Sequence, residues 1–186
     1  MYNSRQTMTQ NPISRILITL GDITKINVDA VVNAANESLL GGLGVDDSIH
    51  SAAGPGLLKE CEILHGCETG NAKITGGYNL PARNVIHAVG PMYVKSAKHN
   101  KELLASTYRR SLEVARENNL NTIAFPSIST GYFGYPIDEA IPVVFDTVLE
   151  YLKKDQDMIV VFVMLTEENF KLYNDHLDKL LLNYRN

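Results

Sequence analysis

Short apolar runs alternate with longer amphipathic stretches along most of the chain. Arg15 to Leu20, Ala30 to Asn33, Asn84 to Val89, Thr122 to Phe125 and Met158 to Leu165 are brief, rich in Ile and Val, and bounded by turn residues. That pattern predicts strands buried on both faces. Between them, apolar residues recur at helical spacing: Leu104, Tyr108, Leu112 and Ala115; then Ile141, Val144, Val148 and Tyr151; then Phe170, Tyr173, Leu177 and Leu180. Each stripe reads as the core face of a helix. Thr166 is placed to cap the last helix, with Glu167 and Glu168 in its positive first turn. Pro142 falls inside the helical stretch before it, so that helix is expected to begin late or to kink near Asp138 to Pro142. Strands alternating with helices indicate a mostly parallel sheet covered on both faces, with ligands at the carboxyl ends of its strands.

Composition narrows the class. A chain of 186 residues, 45% apolar, suits one domain with one core. Residues 1–13 read as a flexible tail and 14–186 as a single domain, expected to be a monomer. The net charge of −4 argues against a binder of phosphate backbones, so nucleic acid is not an expected partner. No apolar run reaches membrane-spanning length and the first residues lack the apolar segment of a signal peptide, so the expected setting is cytoplasmic, with no membrane partner. Asn36-Glu37-Ser38 fits a glycosylation acceptor, but that match is accidental in such a setting. Cys61 and Cys67 read as reduced thiols. With His65 they form a Cys-x3-His-x-Cys cluster that lacks a fourth ligand, so no metal or other cofactor is expected.

Three loops that follow predicted strands carry ligand chemistry. Gly21-Asp22-Ile23-Thr24 sets a carboxylate at a strand end, although Asp is also a common turn cap. Asn33 to His50 combines two amides leaving a strand, a glycine-rich turn, and an acid and an imidazole, Asp46 and His50, one helical turn apart. Ser127 to Pro136 packs glycines, hydroxyls and aromatics into one connection, where exposed backbone amides can form an anion nest. Gly42-Leu43-Gly44-Val45-Asp46-Asp47 begins like a dinucleotide fingerprint but has Asp47 at the third glycine, and neither a P-loop nor a Gly-x-Ser-x-Gly elbow is present. Rossmann dehydrogenases, P-loop NTPases and α/β-hydrolases are thereby disfavoured.

GDIT at 21–24, VNAAN at 32–36, GG-x-GVD at 41–46 with His50, AAGP at 52–55, GCETGNAKIT at 66–75, VIHAVGP at 85–91 and FPSISTGYFGYP at 125–136 resemble the macrodomain family, and within it the MacroD-type ADP-ribosyl hydrolases. The resemblance runs from about residue 15 to the last helix. It implies a three-layer α/β/α sandwich with a mixed, mostly parallel central sheet. It also implies binding of ADP-ribose, with mono-ADP-ribosylated proteins or O-acetyl-ADP-ribose as substrates. Residue by residue, Asp22 would accept from the adenine amine and Ile23 would offer its amide. Ala35, Gly42, Gly44, Val45 and Asp46 would line one side of the diphosphate and distal ribose. Ser129, Thr130, Gly131, Tyr132, Phe133 and Gly134 would close the other side, with Phe133 packed on the ribose. Asn36 would hold ribose hydroxyls as donor and acceptor together, and Glu168 or Asn169 would touch the adenine.

The implied reaction is hydrolysis of an ester on the distal ribose, with Asp46, His50 and Asn36 as catalytic candidates. Asp46 would position a water as general base, or the substrate's own phosphate would take the proton. His50 would orient the acid or a hydroxyl, or simply support the loop as a buried histidine; His87 reads as structural, a polar group at a strand end. A non-catalytic reader of ADP-ribose is the alternative. The chain departs from the branch at Leu43 and Asp47, where glycine is usual, at Ser51, where a basic residue is common, and at Tyr132, where a small aliphatic is common. A leucine forced into left-handed geometry at 43 would cost about 1 kcal/mol or more.

Overall fold

The computed structural model describes residues 11–95 and 97–185. Six strands form one sheet: β1 (Ile16–Leu20), β2 (Ala30–Ala34), β3 (Ala72–Gly76), β4 (Asn84–Ala88), β5 (Thr122–Phe125) and β6 (Ile159–Met164). Their order is β1-β6-β5-β2-β4-β3, parallel except for β3, which runs antiparallel at the edge beside β4. The helices are α1 (Val45–Ala53), α2 (Pro55–Leu64), α3 (Asn100–Glu117), α4 (Ile137–Lys154) and α5 (Glu167–Arg185). Helices α3, α4 and α5 cover one face, where Tyr108, Phe145 and Tyr173 pack against Ile86, Phe125 and Phe162. Helices α1 and α2 cover the other, where Ile49 and Leu57 meet Val31, Val85 and Ala124. Alternate residues of each central strand feed the two cores, which is why the strands read as continuous apolar runs. The expected three-layer sandwich with a mixed sheet is the observed one.

Strand β3 was not among the expected strands. Its sequence, Ala-Lys-Ile-Thr-Gly, carries a single large aliphatic because an edge strand is only half covered. Pro142 does not delay its helix: α4 starts at Ile137 and continues through it, with the proline on the exposed face. Thr166 caps α5 as expected, its hydroxyl accepting from the Asn169 amide at 3.3 Å. Of the tail expected over 1–13, residues 1–10 lie outside the described residues. Pro12 and Ile13 instead belong to a buried 3-10 turn, Pro12–Arg15, that packs on α4.

Candidate functional site

Every parallel strand sends its carboxyl end into one cleft of about 580 Å³. The wall comprises Gly21, Asp22 and Ile23 after β1; Ala34, Ala35 and Asn36 after β2, with Gly42 to Asp46 and Ser48 beyond; and Gly90 after β4. Pro126 to Phe133 follow β5, and Val163 to Thr166 with Asn169 complete it from β6. Thus the three loops that sequence singled out converge, because parallel strands bring all their exits to the same edge. Three expected residues, Gly134, Glu168 and His50, stand outside the wall. Gly134 is a turn residue with φ of 67° whose amide donates to the Gly131 carbonyl at 2.9 Å. Glu168 is likewise absent from the wall, and of the two candidates for the adenine end Asn169 is the one that lines it.

The turn into α1 is built for an anion. Gly44 caps the helix with φ of 67° and makes no side-chain capping bond. The first intrahelical bond runs from the Ser48 amide to the Gly44 carbonyl at 3.0 Å, so the amides of Val45, Asp46 and Asp47 have no helical acceptor and concentrate positive potential there. Across the cleft, the Ser127 to Pro136 connection is held by Tyr108, whose hydroxyl accepts from the Ile128 amide at 3.2 Å and donates to the Pro126 carbonyl at 3.3 Å. Ser129 has φ of 67°, an unusual setting for a residue with a side chain. Gly90 explains part of that shape: a Cβ there would stand 2.2 Å from Ser129 Oγ. Gly90 was not among the expected site residues, although the Gly-Pro step in VIHAVGP marked it.

Asp46 is 2% exposed. Its Oδ1 accepts from Asn33 Nδ2 at 2.6 Å and lies 3.4 Å from His50 Nε2. Its Oδ2 has no partner among the described residues and faces Gly42, where a Cβ would stand 2.8 Å away. Burial pushes the Asp46 carboxyl above its ordinary value of 3.8; the Asn33 hydrogen bond and the His50 ring pull it back, and Asp47 adds to the rise. His50 does not reach the cleft surface; it stands behind the acid it was expected to orient. Asn33, missed as a site residue, stands opposite His87 in the β2–β4 register. His87 lies next to the end of β4, as expected, and is fully buried there; burial drives its pKa down to about 3.

Asp22 accepts from the Thr24 hydroxyl at 2.8 Å and the Thr24 amide at 2.9 Å through one oxygen. Those two bonds hold its pKa below the usual value, so it remains an ionised acceptor. Asn36 departs from its expected double role. Its Oδ1 already accepts from the Ser38 amide and hydroxyl, and its Nδ2 donates to the Gly41 carbonyl at 2.8 Å, which leaves one amide hydrogen for a ligand. Leu43 is 66% exposed on the rim and is not among the residues with positive φ, so it carries no backbone strain. Tyr132 lays its ring beside Gly44, where a Cβ would stand 3.4 Å from Cε2.

Cys61, His65 and Cys67 form a helix end and the loop after it, as expected: Cys61 lies in α2 and His65 is the left-handed cap that ends it. Donor atoms of His50, Cys61 and His87 lie within 4.8 Å of one another. Burial, with Asp46 and Glu60 nearby, pushes the Cys61 thiol up to about 11, which disfavours the thiolate a soft metal needs. His87 Nε2 is also engaged by Thr75 Oγ1 at 2.9 Å. The group is better described as a hydrogen-bonded core than as a metal centre.

An α/β/α sandwich with unpaired helix N-terminal amides and a buried carboxylate that keeps one oxygen unpartnered at its strand ends defines a ligand-binding domain with reactive potential. Residues 32–144 match the Macro domain family, and the chain belongs to it. It is 51% identical over 170 residues to a macro domain-containing protein of Methanosarcina mazei, covering 91% of each chain. It is 56% identical over 162 residues to the ADP-ribose glycohydrolase MACROD2 of Xenopus laevis, covering 86% of this chain but only 39% of that protein. Among solved structures, the Oceanobacillus iheyensis macrodomain with ADP superposes with a TM-score of 0.86 at 42% identity, covering 89% of this chain and 91% of that one. The Trypanosoma brucei macrodomain in complex with ADP-ribose gives 0.84 at 38% identity, over 90% and 72%.

Proposed function

We propose that this chain binds ADP-ribose in the cleft and hydrolyses mono-ADP-ribose esters of acidic side chains, and also the acetyl ester of O-acetyl-ADP-ribose. In the acetyl ester, water attacks the acetyl carbonyl carbon, the acyl C–O bond breaks, and acetate and the ribose hydroxyl are released. One observation carries the reading: a buried carboxylate, Asp46, whose free Oδ2 lies at the N-terminus of α1 beside the anion nest. The relatives' names, an ADP-ribose glycohydrolase and a macrodomain bound to ADP-ribose, support the same ligand. The adenine amine donates to Asp22, while the diphosphate rests between the α1 amides and the amides of 131–133. The distal ribose then reaches Asn36 and Asp46.

In the reaction on a mono-ADP-ribosylated side chain, a water oxygen attacks the anomeric carbon, the bond from that carbon to the acyl oxygen breaks, and the carboxylate leaves with the electron pair. The water's proton passes to Asp46 Oδ2. A raised pKa makes Asp46 a stronger base than an ordinary aspartate, provided that it is ionised. Activity should therefore fall as pH drops through that value.

The test is release of ADP-ribose from a glutamate-linked mono-ADP-ribosylated protein. Asp46→Ala is expected to lower kcat by about 100-fold or more while calorimetric binding of ADP-ribose persists. Full activity in the variant would remove Asp46 from the mechanism. Binding without any release by the wild type would favour the second reading, a non-catalytic reader; Leu43, exposed on the rim and unstrained, gives that reading no support.

A further inference from the structure

Behind Asp46 lies a run of buried polar contacts that no cleft residue completes. Asn33 Nδ2 stands 2.6 Å from Asp46 Oδ1 and 3.2 Å from His87 Nδ1. An amide nitrogen only donates, so each of its two hydrogens serves one acceptor. His87 Nδ1 is therefore bare and its proton sits on Nε2, where Thr75 Oγ1 lies at 2.9 Å and Cys61 Sγ at 3.5 Å. Asn33 Oδ1 is buried without a partner among the described residues. Burying a carbonyl unpaired is unfavourable, and the arrangement persists because the flipped amide would press its oxygen against the Asp46 carboxylate.

We propose that His87 is a positioning residue for the reaction: by accepting from Asn33 through Nδ1, it aims the other Asn33 hydrogen at Asp46 Oδ1 and leaves Oδ2 turned to the cleft. This rests on the reading of Asp46 as the base. The groups facing Asp46 are His50 and Asp47 from α1, Asn33 from β2, and Cys61 from α2, with His87 of β4 behind Asn33. Burial keeps His87 neutral far below pH 7, so it acts as a fixed acceptor and not as a titrating partner. Loss of that acceptor frees Asn33 to rotate and weakens a hydrogen bond that favours the ionised carboxylate. The Asp46 pKa then rises, and the acidic limb of the rate profile moves to higher pH.

Two amide variants separate this role from mere packing. The carbonyl of His87→Asn falls near the Nδ1 position and retains an acceptor for Asn33; His87→Gln extends past it toward Thr75 and does not. His87→Gln is expected to raise the acidic limb of kcat/KM, and the Asp46 pKa read by carbon-13 NMR, by about one unit. Its kcat should fall about tenfold with KM nearly unchanged. His87→Asn should restore both pKa readouts toward wild type. A purely structural His87 would lower the thermal midpoint in both variants and move neither titration, or move both equally; either result overturns the proposal.

The wild-type protein supplies a measurement that needs no variant. Nitrogen-15 NMR should show His87 protonated on Nε2 and neutral at pH 5, and a proton on Nδ1 would overturn the relay outright. The NMR titration reads Asp46 whether or not the wild type turns over substrate, so failure of the relay and failure of the hydrolase reading give different results.

Discussion

Gly42 shows how narrowly single residues shape the cleft. Its missing side chain leaves room beside Asp46 Oδ2 and Asn36 Nδ2, and a methyl group there would meet them at 2.8 and 3.1 Å. Gly42→Ala should therefore cut hydrolysis by about tenfold or more, since small misplacements at a reacting group are costly. Its thermal midpoint should hold, because no strained φ is involved at 42; kinetics beside a melting curve checks both. The loop residues were legible because Asp22, Asp46 and the glycines are types that ligand loops require. The pairing of Asn33 with His87 was not, although Asn33 stood among the amides of the 33–50 segment. The two residues are 54 positions apart, and each alone reads as an ordinary polar residue in a strand; only the β2–β4 register makes them partners.

At the scale of elements, the strands' amino ends are tied together as firmly as their carboxyl ends are left open. Asp29, just before β2, accepts from Arg83 ahead of β4 and from the amides of Asn121 and Thr122 at the start of β5, at 2.8 and 2.9 Å. Partial burial pushes its carboxyl up, but those donors prevail and hold its pKa at about 2. Its folded value lies below the ordinary 3.8, so this stabilisation is complete above that value and is lost as pH falls toward 2. Asp29→Asn should lower stability by about 1–3 kcal/mol at pH 7 and flatten the acid limb of the stability curve, as urea unfolding at several pH values would show. Central strands and amphipathic helices were readable from periodicity, whereas edge strand β3 was not. Its half-exposed pattern, Lys73 among Ala72, Ile74 and Thr75, is weak until β4 supplies the pairing.

Over the whole molecule, the sheet separates a stabilising end from a reactive end. Arg15 enters the stabilising end, 8% exposed, and its guanidinium donates to the carbonyls of Leu152, Asp155 and Met158 where α4 turns into β6. Arg15→Met should destabilise the fold by about 3 kcal/mol, since buried carbonyls lose charged donors. ADP-ribose affinity should be unchanged when measured by calorimetry below the unfolding transition, because the cleft lies at the other end of β1. A fall in affinity would mean that the two ends are coupled. Hydrophobic periodicity already dictated alternating strands and helices, one core-forming chain and the loops rich in glycine, acid and amide. These are local properties, set by which residues bury well and which backbones can turn. The sheet order, the edge strand, the free oxygen of Asp46 and the Asn33–His87 contact behind it were decided by tertiary packing. Each depends on which distant segments lie side by side, and no local pattern records that distance.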